Sequence, residues 1–138
     1  MTYPLTFYVD SLGPNTAGES RGPVIRILKE YKDDIGIYKH ELLHVKQWLT
    51  WSVLSIPLAY VLYNIGRIDF IGLAFLALAI HSTLYKCVPA YRLWAEAEAY
   101  KEQAKHYPDD RRALFAEYIS AYYNLKITPE DALKRLIK

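Results

Sequence analysis

His40, Glu41 and His44 stand in the stretch HELLH, immediately ahead of a long apolar run. On a helix, at about 100° per residue, the two histidines lie about 40° apart and one turn above one another, so both imidazoles can reach one ion. Glu41 falls at the edge of the same face, where a carboxylate can meet the water that a metal activates without ligating the metal. This is the His-Glu-x-x-His arrangement of zinc peptidases. A helix whose polar side merely carries His, Glu and His has the same pattern, and the spacing alone leaves both readings open.

A catalytic zinc needs three protein ligands. The lone cysteine, Cys87, excludes an internal disulfide and any multi-cysteine cluster, so the third ligand has to be a histidine or a carboxylate. Cys87 itself reads as a small core residue. The stretch WAEAEAY offers Glu96 and Glu98, about 200° apart on a helix, so only one can face the histidine pair. Leu93, Ala97, Ala99, Tyr100 and Ala104 surround Glu96, whereas Lys101, Glu102 and Lys105 surround Glu98, which puts Glu96 on the buried face. The alanines let this helix approach the histidine helix closely, as metal–ligand bonds of about 2 Å demand. Glu96 also reads as a buried carboxylate paired with Arg92 one turn earlier, and the two roles are compatible, with Arg92 positioning the carboxylate.

These residues need elements to hold them. PLTFYVDSL is rich in β-formers and precedes the turn-forming GPNTAGESRGP, which predicts a strand, a loop and a second strand through VIRILKEYK, half exposed by its alternation. DDIGIYKHELLHVKQWLTW then turns helical, with Asp33 or Asp34 upstream and Ile37, Gln47, Trp48 and Trp51 on the histidine face. Histidines that point into packed protein need partners, which favours a metal. Further helices are expected from Pro89, from Pro108 with Asp109 and Asp110, and from TPED, where Thr128 can cap, Pro129 fits the first turn and Asp131 completes a capping box.

Between the two motifs no residue is charged from Gln47 to Gly66, a run of 20, or from Phe70 to Tyr85, a run of 16. Two apolar helices joined by NIGRID follow, over about residues 47–85. The first run just meets the length needed to span a bilayer, the second is marginal, and Pro57 interrupts the first, so a membrane-embedded hairpin and a buried soluble pair both stand.

The 138 residues make one domain, of α+β class and mostly α. Seventeen Lys and Arg against 15 Asp and Glu give a net charge of +2, and the basic residues are scattered, which argues against nucleic acid as partner. The composition is 52% apolar with 13 tyrosines, and the excess lies in the hairpin. The N-terminal stretch lacks the pattern of a secretory signal, so a cytoplasmic or membrane-associated protein is expected.

HELLHVKQW followed some fifty residues later by EAEAY resembles the gluzincin metallopeptidases, and in particular small minigluzincin-like proteins with His-Glu-x-x-His-x-x-Gln and then Glu-x-x-Ala-Tyr. The likeness covers the two motif helices, more loosely the strand before them and the closing YYNLKITPEDAL. It implies a small zincin-like domain, zinc held by His40, His44 and Glu96, Glu41 as general base, and a peptide or protein substrate. It also implies an edge strand above the metal that pairs with extended substrate backbone, for which Val24–Lys32 is the candidate. No oxyanion-stabilising residue matches the pattern, and Tyr91, Tyr100 and His81 are the candidates, although a lone histidine on an apolar helix is more often a satisfied core residue. Rival readings are an inactive zinc-binding relative that serves in assembly, and a small membrane hairpin protein whose histidines are incidental. The first has no need of Glu41, and the second leaves the pairing of Glu96 with HELLH unexplained.

Overall fold

The computed structural model describes residues 4–66 and 69–138. Its strands are β1 (Leu5–Val9), β2 (Gly18–Arg21) and β3 (Val24–Leu28), in the order β1-β3-β2. β3 pairs in parallel with β1 and antiparallel with β2. The alternation along β3 buries Ile25 and Ile27, which pack with Val45 of the following helix, while Arg26 between them reaches Glu19 on β2.

Two expectations are corrected here. β3 is the central strand and ends at Leu28, with Lys29–Tyr31 in a 3-10 turn, so Val24–Lys32 is not a free edge. The edge beside the histidine helix is β2, inside the stretch expected to be loop. Its residues, GESR, are poor strand formers. Antiparallel pairing to β3 imposes the conformation that their own propensity does not.

Asp34 starts the long helix α1 (Ile35–Leu54) by accepting a hydrogen bond from Ile37 N at 3.0 Å. Tyr107, far along the chain, donates to the same carboxylate at 2.9 Å and fixes the start of the helix against the C-terminal half. α1 continues through the histidines into the first apolar run. A break at Ser55, with Pro57 in the next turn, separates it from α2 (Ile56–Asn64). α3 (Phe70–Cys87) returns, started by Asp69, whose side chain accepts from Gly72 N. The expected connector NIGRID includes residues 67 and 68, which lie outside the described residues.

The hairpin is not buried in the chain. Ile56, Leu58, Val61, Phe70, Ile71, Phe75 and Leu78 are all exposed. Among the described residues one helix, α3, is long and apolar enough to cross a membrane. Cys87, expected in the core, is exposed at the end of α3.

α4 (Pro89–Ala104) begins with Pro89 in its first turn and lies along α1 through Ala95 and Ala99, both without exposed surface. α5 (Arg112–Tyr122) starts later than expected: Asp109 and Asp110 pair with Arg111 and Arg112, and Asp110 accepts from Arg112 N instead of opening the helix at Pro108. α6 (Pro129–Ile137) has Thr128 accepting from Asp131 N. A second core, with Tyr100, Phe115, Ile119 and Leu136 at its centre, joins α4, α5 and α6. The architecture is α+β and mostly α.

Candidate metal centre

His40 and His44 project from the same face of α1 toward α4, and Glu96 meets them from the alanine-lined face of that helix. All three are buried, and each offers a ligand atom within 4.8 Å of the others, a group that could hold a metal ion. The two Nε2 atoms are 3.2 Å apart. Glu96 Oε2 lies 3.5 Å from His40 Nε2, and its Oε1 lies 3.4 Å from His44 Nε2. Glu96 Oε2 and His40 Nδ1 are buried without a hydrogen-bond partner, which is costly unless a further group meets them.

Gln47 orients His44. Its Oε1 sits 2.9 Å from His44 Nδ1, and its Nε2 donates to the Ala95 carbonyl at 3.2 Å. With the amide committed to α4, the oxygen is left to accept from Nδ1–H, and Nε2 of the same imidazole is free to face Glu96. Tyr100 packs edge-on against the His40 ring, centroids 4.5 Å apart.

Electrostatics follow from burial and proximity. Burial, the largest influence on His44, pushes the imidazole down, but Glu96 and then Glu41 reverse it and raise His44 to about 9. Burial likewise pushes Glu96 up, and His44 and His40 together hold it well below the ordinary carboxylate range. Glu41 behaves differently. Burial raises it, and the pull of His40 and His44 only partly offsets that, with Glu96 adding to the rise. A carboxylate raised in this way is a better proton acceptor than one in water.

Glu41 faces β2. A Cβ added to Gly18 would stand 3.0 Å from Glu41 Cγ and 3.1 Å from Ile37 Cγ2, so any larger residue would press on the Glu41 and Ile37 side chains, and glycine lets the strand run this close without displacing them. A cleft of about 1240 Å³ runs between β2 on one side and α5 on the other, with His40, Glu41, His44 and Glu96 in its floor.

Other residues singled out from the sequence are placed as follows. Glu98 pairs with Lys101 at 2.7 Å, away from the histidines. Arg92 does not pair with Glu96. It donates to the carbonyls of Tyr85, Lys86 and Tyr123, closing the end of α3 and tying it to α4 and the turn after α5. Tyr100 hydroxyl lies 3.0 Å from Tyr123 hydroxyl, and burial raises its pKa. Tyr91 packs between Trp51 and Trp94, its hydroxyl unpartnered and pushed by burial up to about 12. His81 lines the cleft, stacked on Tyr85, with Nε2 unpartnered.

One residue of the site escaped the sequence reading. Tyr85 donates its hydroxyl proton to Glu96 Oε1 from the end of α3. The only signal for it was position: the last residue of an uncharged run, eleven residues before the glutamate.

Comparison of the chain with protein-family models, with curated proteins and with solved structures found no match.

Proposed function

We propose that this chain is a zinc-dependent metallopeptidase that hydrolyses peptide bonds, with His40, His44 and Glu96 as zinc ligands and Glu41 as general base. The observation that carries the reading is that His40 and His44 Nε2 lie 3.2 Å apart, with Glu96 Oε2 3.5 Å from the first and its Oε1 3.4 Å from the second. Two nitrogens about 2.0–2.1 Å from a tetrahedral zinc stand roughly 3.3–3.4 Å apart. A hydrogen-bonded cluster has no need for two imidazole Nε2 atoms to face each other beside a carboxylate oxygen that lacks a partner. The resemblance to gluzincins supports the same assignment.

Bound zinc would polarise the scissile carbonyl and lower the pKa of the attacking water. Glu41, raised by burial and lying beside the ligands, would take the proton from that water and pass it to the leaving amine. Gln47 and Tyr85 hold His44 and Glu96 in place during the reaction. β2 is the edge on which an extended substrate can add as a further strand, because it borders the cleft and Gly18 keeps it close to Glu41. For the oxyanion, His81 is favoured over Tyr91, since His81 lines the cleft with Nε2 unpartnered, while Tyr91 stands outside it. The bare α2–α3 hairpin favours a membrane-associated location for this activity.

The test is a mixture of unstructured peptides incubated with the full chain and read by mass spectrometry. Cleavage that stops on chelation and returns with added zinc supports the reading. A chain that holds one zinc and cuts nothing across such a mixture would sink the peptidase claim and leave a metal-binding protein.

A further inference from the structure

We infer that the hairpin of residues 48–87 inserts into the hydrocarbon core of a lipid bilayer, so that the floor of the cleft sits at the lipid–water boundary. This concerns the hairpin and its depth, and it stands whether or not the site hydrolyses peptides.

Exposure gives the first reason. On α2 the exposed residues Ile56, Leu58, Tyr60, Val61 and Tyr63 cover roughly 220° of the helix circumference at 100° per residue. On α3, Phe70, Ile71, Phe75 and Leu78, with Ala74 and Ala79, cover roughly 180°. Outside their contact with each other, and that of α3 with α1 and α4, the two helices are bare. A second copy of the chain would cover one face through a two-fold axis and leave the others in water. Hydrocarbon covers all of them.

Dimensions agree with this. α3 has 18 residues; Phe70–Ile80, ahead of the cleft-lining His81, Ser82 and Tyr85, make about 17 Å at 1.5 Å per residue, enough to enter roughly 30 Å of hydrocarbon without crossing it. No residue of either arm is charged between Gln47 and Gly66 or between Phe70 and Tyr85.

Hydrogen bonding gives an independent reason. Four polar side chains of the first arm bond within the hairpin: Ser52 to the Trp48 carbonyl at 2.9 Å, Ser55 to the Ser52 carbonyl at 2.8 Å, Asn64 to the Tyr60 carbonyl at 2.7 Å, and Trp48 Nε1 across to the Leu78 carbonyl at 3.0 Å. In water such groups have solvent for a partner. In hydrocarbon they must be satisfied internally.

The base of the hairpin marks the boundary. There Lys46 and Lys86 are exposed, and Trp51, Tyr91 and Trp94 pack together. Aromatic rings beside charges are the pattern of a membrane interface. The base is also where Trp48, His81, Ser82 and Tyr85 enter the cleft wall.

The single cysteine makes the test direct. In the full chain, Cys87 is labelled with an environment-sensitive fluorophore; in Cys87→Ser the label is placed instead at Phe75→Cys, Leu78→Cys or Glu117→Cys. Each protein is mixed with phosphatidylcholine–phosphatidylglycerol vesicles that carry a quencher either near the headgroups or deep in the acyl chains. The deep quencher should reach the labels at 75 and 78, the shallow one should reach Cys87, and neither should reach 117. Two hairpin positions guard against one label disturbing the fold, and far-ultraviolet circular dichroism checks helix content. Phe75→Asp, at an exposed position, should lower partitioning into vesicles on the order of 50-fold. Labels at 75 and 78 that stay unquenched in a chain dispersed as a dimer, or equal partitioning of Phe75→Asp and the unaltered chain, would overturn the inference. A Cys87 label quenched as deeply as those at 75 and 78 would overturn the placement of the cleft.

Discussion

The Tyr85 hydroxyl, at the end of α3, donates a hydrogen bond to Glu96 Oε1 on α4. The bond links the hairpin to the carboxylate that faces both histidines, and Arg92 reinforces it by holding the Tyr85 and Lys86 carbonyls. Tyr85→Phe keeps the ring and removes only the proton donor. Groups that orient a metal ligand typically contribute about 10- to 100-fold in metal affinity. Competition against a chromophoric chelator should show a loss in that range with helix content unchanged. An unaltered affinity would mean that Glu96 is held without Tyr85.

Glu96 and Glu98 separate cleanly by substitution. Glu96→Gln removes the charge that faces His40 and His44 and should abolish metal binding. Glu98→Gln touches only a partly exposed pair with Lys101, worth about 0.5 kcal/mol or less. Metal content and thermal midpoint should be nearly those of the unaltered chain. Loss of metal in Glu98→Gln with retention in Glu96→Gln would contradict the ligand set.

Much of this site was legible in the sequence because helical periodicity carries it. His40 and His44 are one turn apart on one helix, and the alanines around Glu96 against the lysines around Glu98 fix the phase of the second. Tyr85 was not legible, since its contact crosses from one helix to the next through a turn at Val88, and no local pattern encodes that angle. β2 was missed because Gly18–Arg21 has no strand propensity of its own and is drawn into the sheet by β3. Hydropathy found the hairpin but not its exposure: a core helix and a bare one have the same apolar run, and only the packing around Phe70, Ile71 and Phe75 tells them apart.

Glu41→Gln should leave metal content and folding nearly intact while lowering peptide hydrolysis by about 10²- to 10⁴-fold, the usual contribution of a general base. The paired measurement is metal content by mass spectrometry and cleavage of the peptide mixture. Hydrolysis as fast as in the unaltered chain would remove Glu41 from the mechanism even with the metal in place.

The metal-free chain should lose stability as pH rises above neutrality. His44 is raised from 6.5 to about 9, so its contribution is fully present below 6.5 and is lost as pH passes through about 9. Glu41, raised by burial, acts with the same sign. Glu96 is lowered, so its contribution is present above 4.5 and is lost in acid. The thermal midpoint of the chelated chain should therefore fall between pH 6 and pH 9.5. Added metal should flatten the decline, because binding requires the imidazoles neutral. A midpoint that rises over this interval would contradict the His44–Glu96 pairing.

Gly36→Ala tests the lock at the start of α1. An added Cβ would stand 2.6 Å from the Tyr107 ring and hydroxyl, which bonds to Asp34 and accepts from Gln103. The ring must move. Overpacking of this kind costs about 1–3 kcal/mol, against a gain of up to about 1 kcal/mol from helix propensity. Denaturant unfolding should show a net loss, and a stabilised variant would mean that Tyr107 yields freely.

Metal content of the full chain purified without added metal tests the central claim most directly. One equivalent of divalent metal per chain is expected, absent from His44→Ala, whose helix content by circular dichroism stays that of the unaltered chain. An unaltered chain that binds no metal when offered zinc, or a His44→Ala chain that retains a full equivalent, would contradict the His40–His44–Glu96 centre.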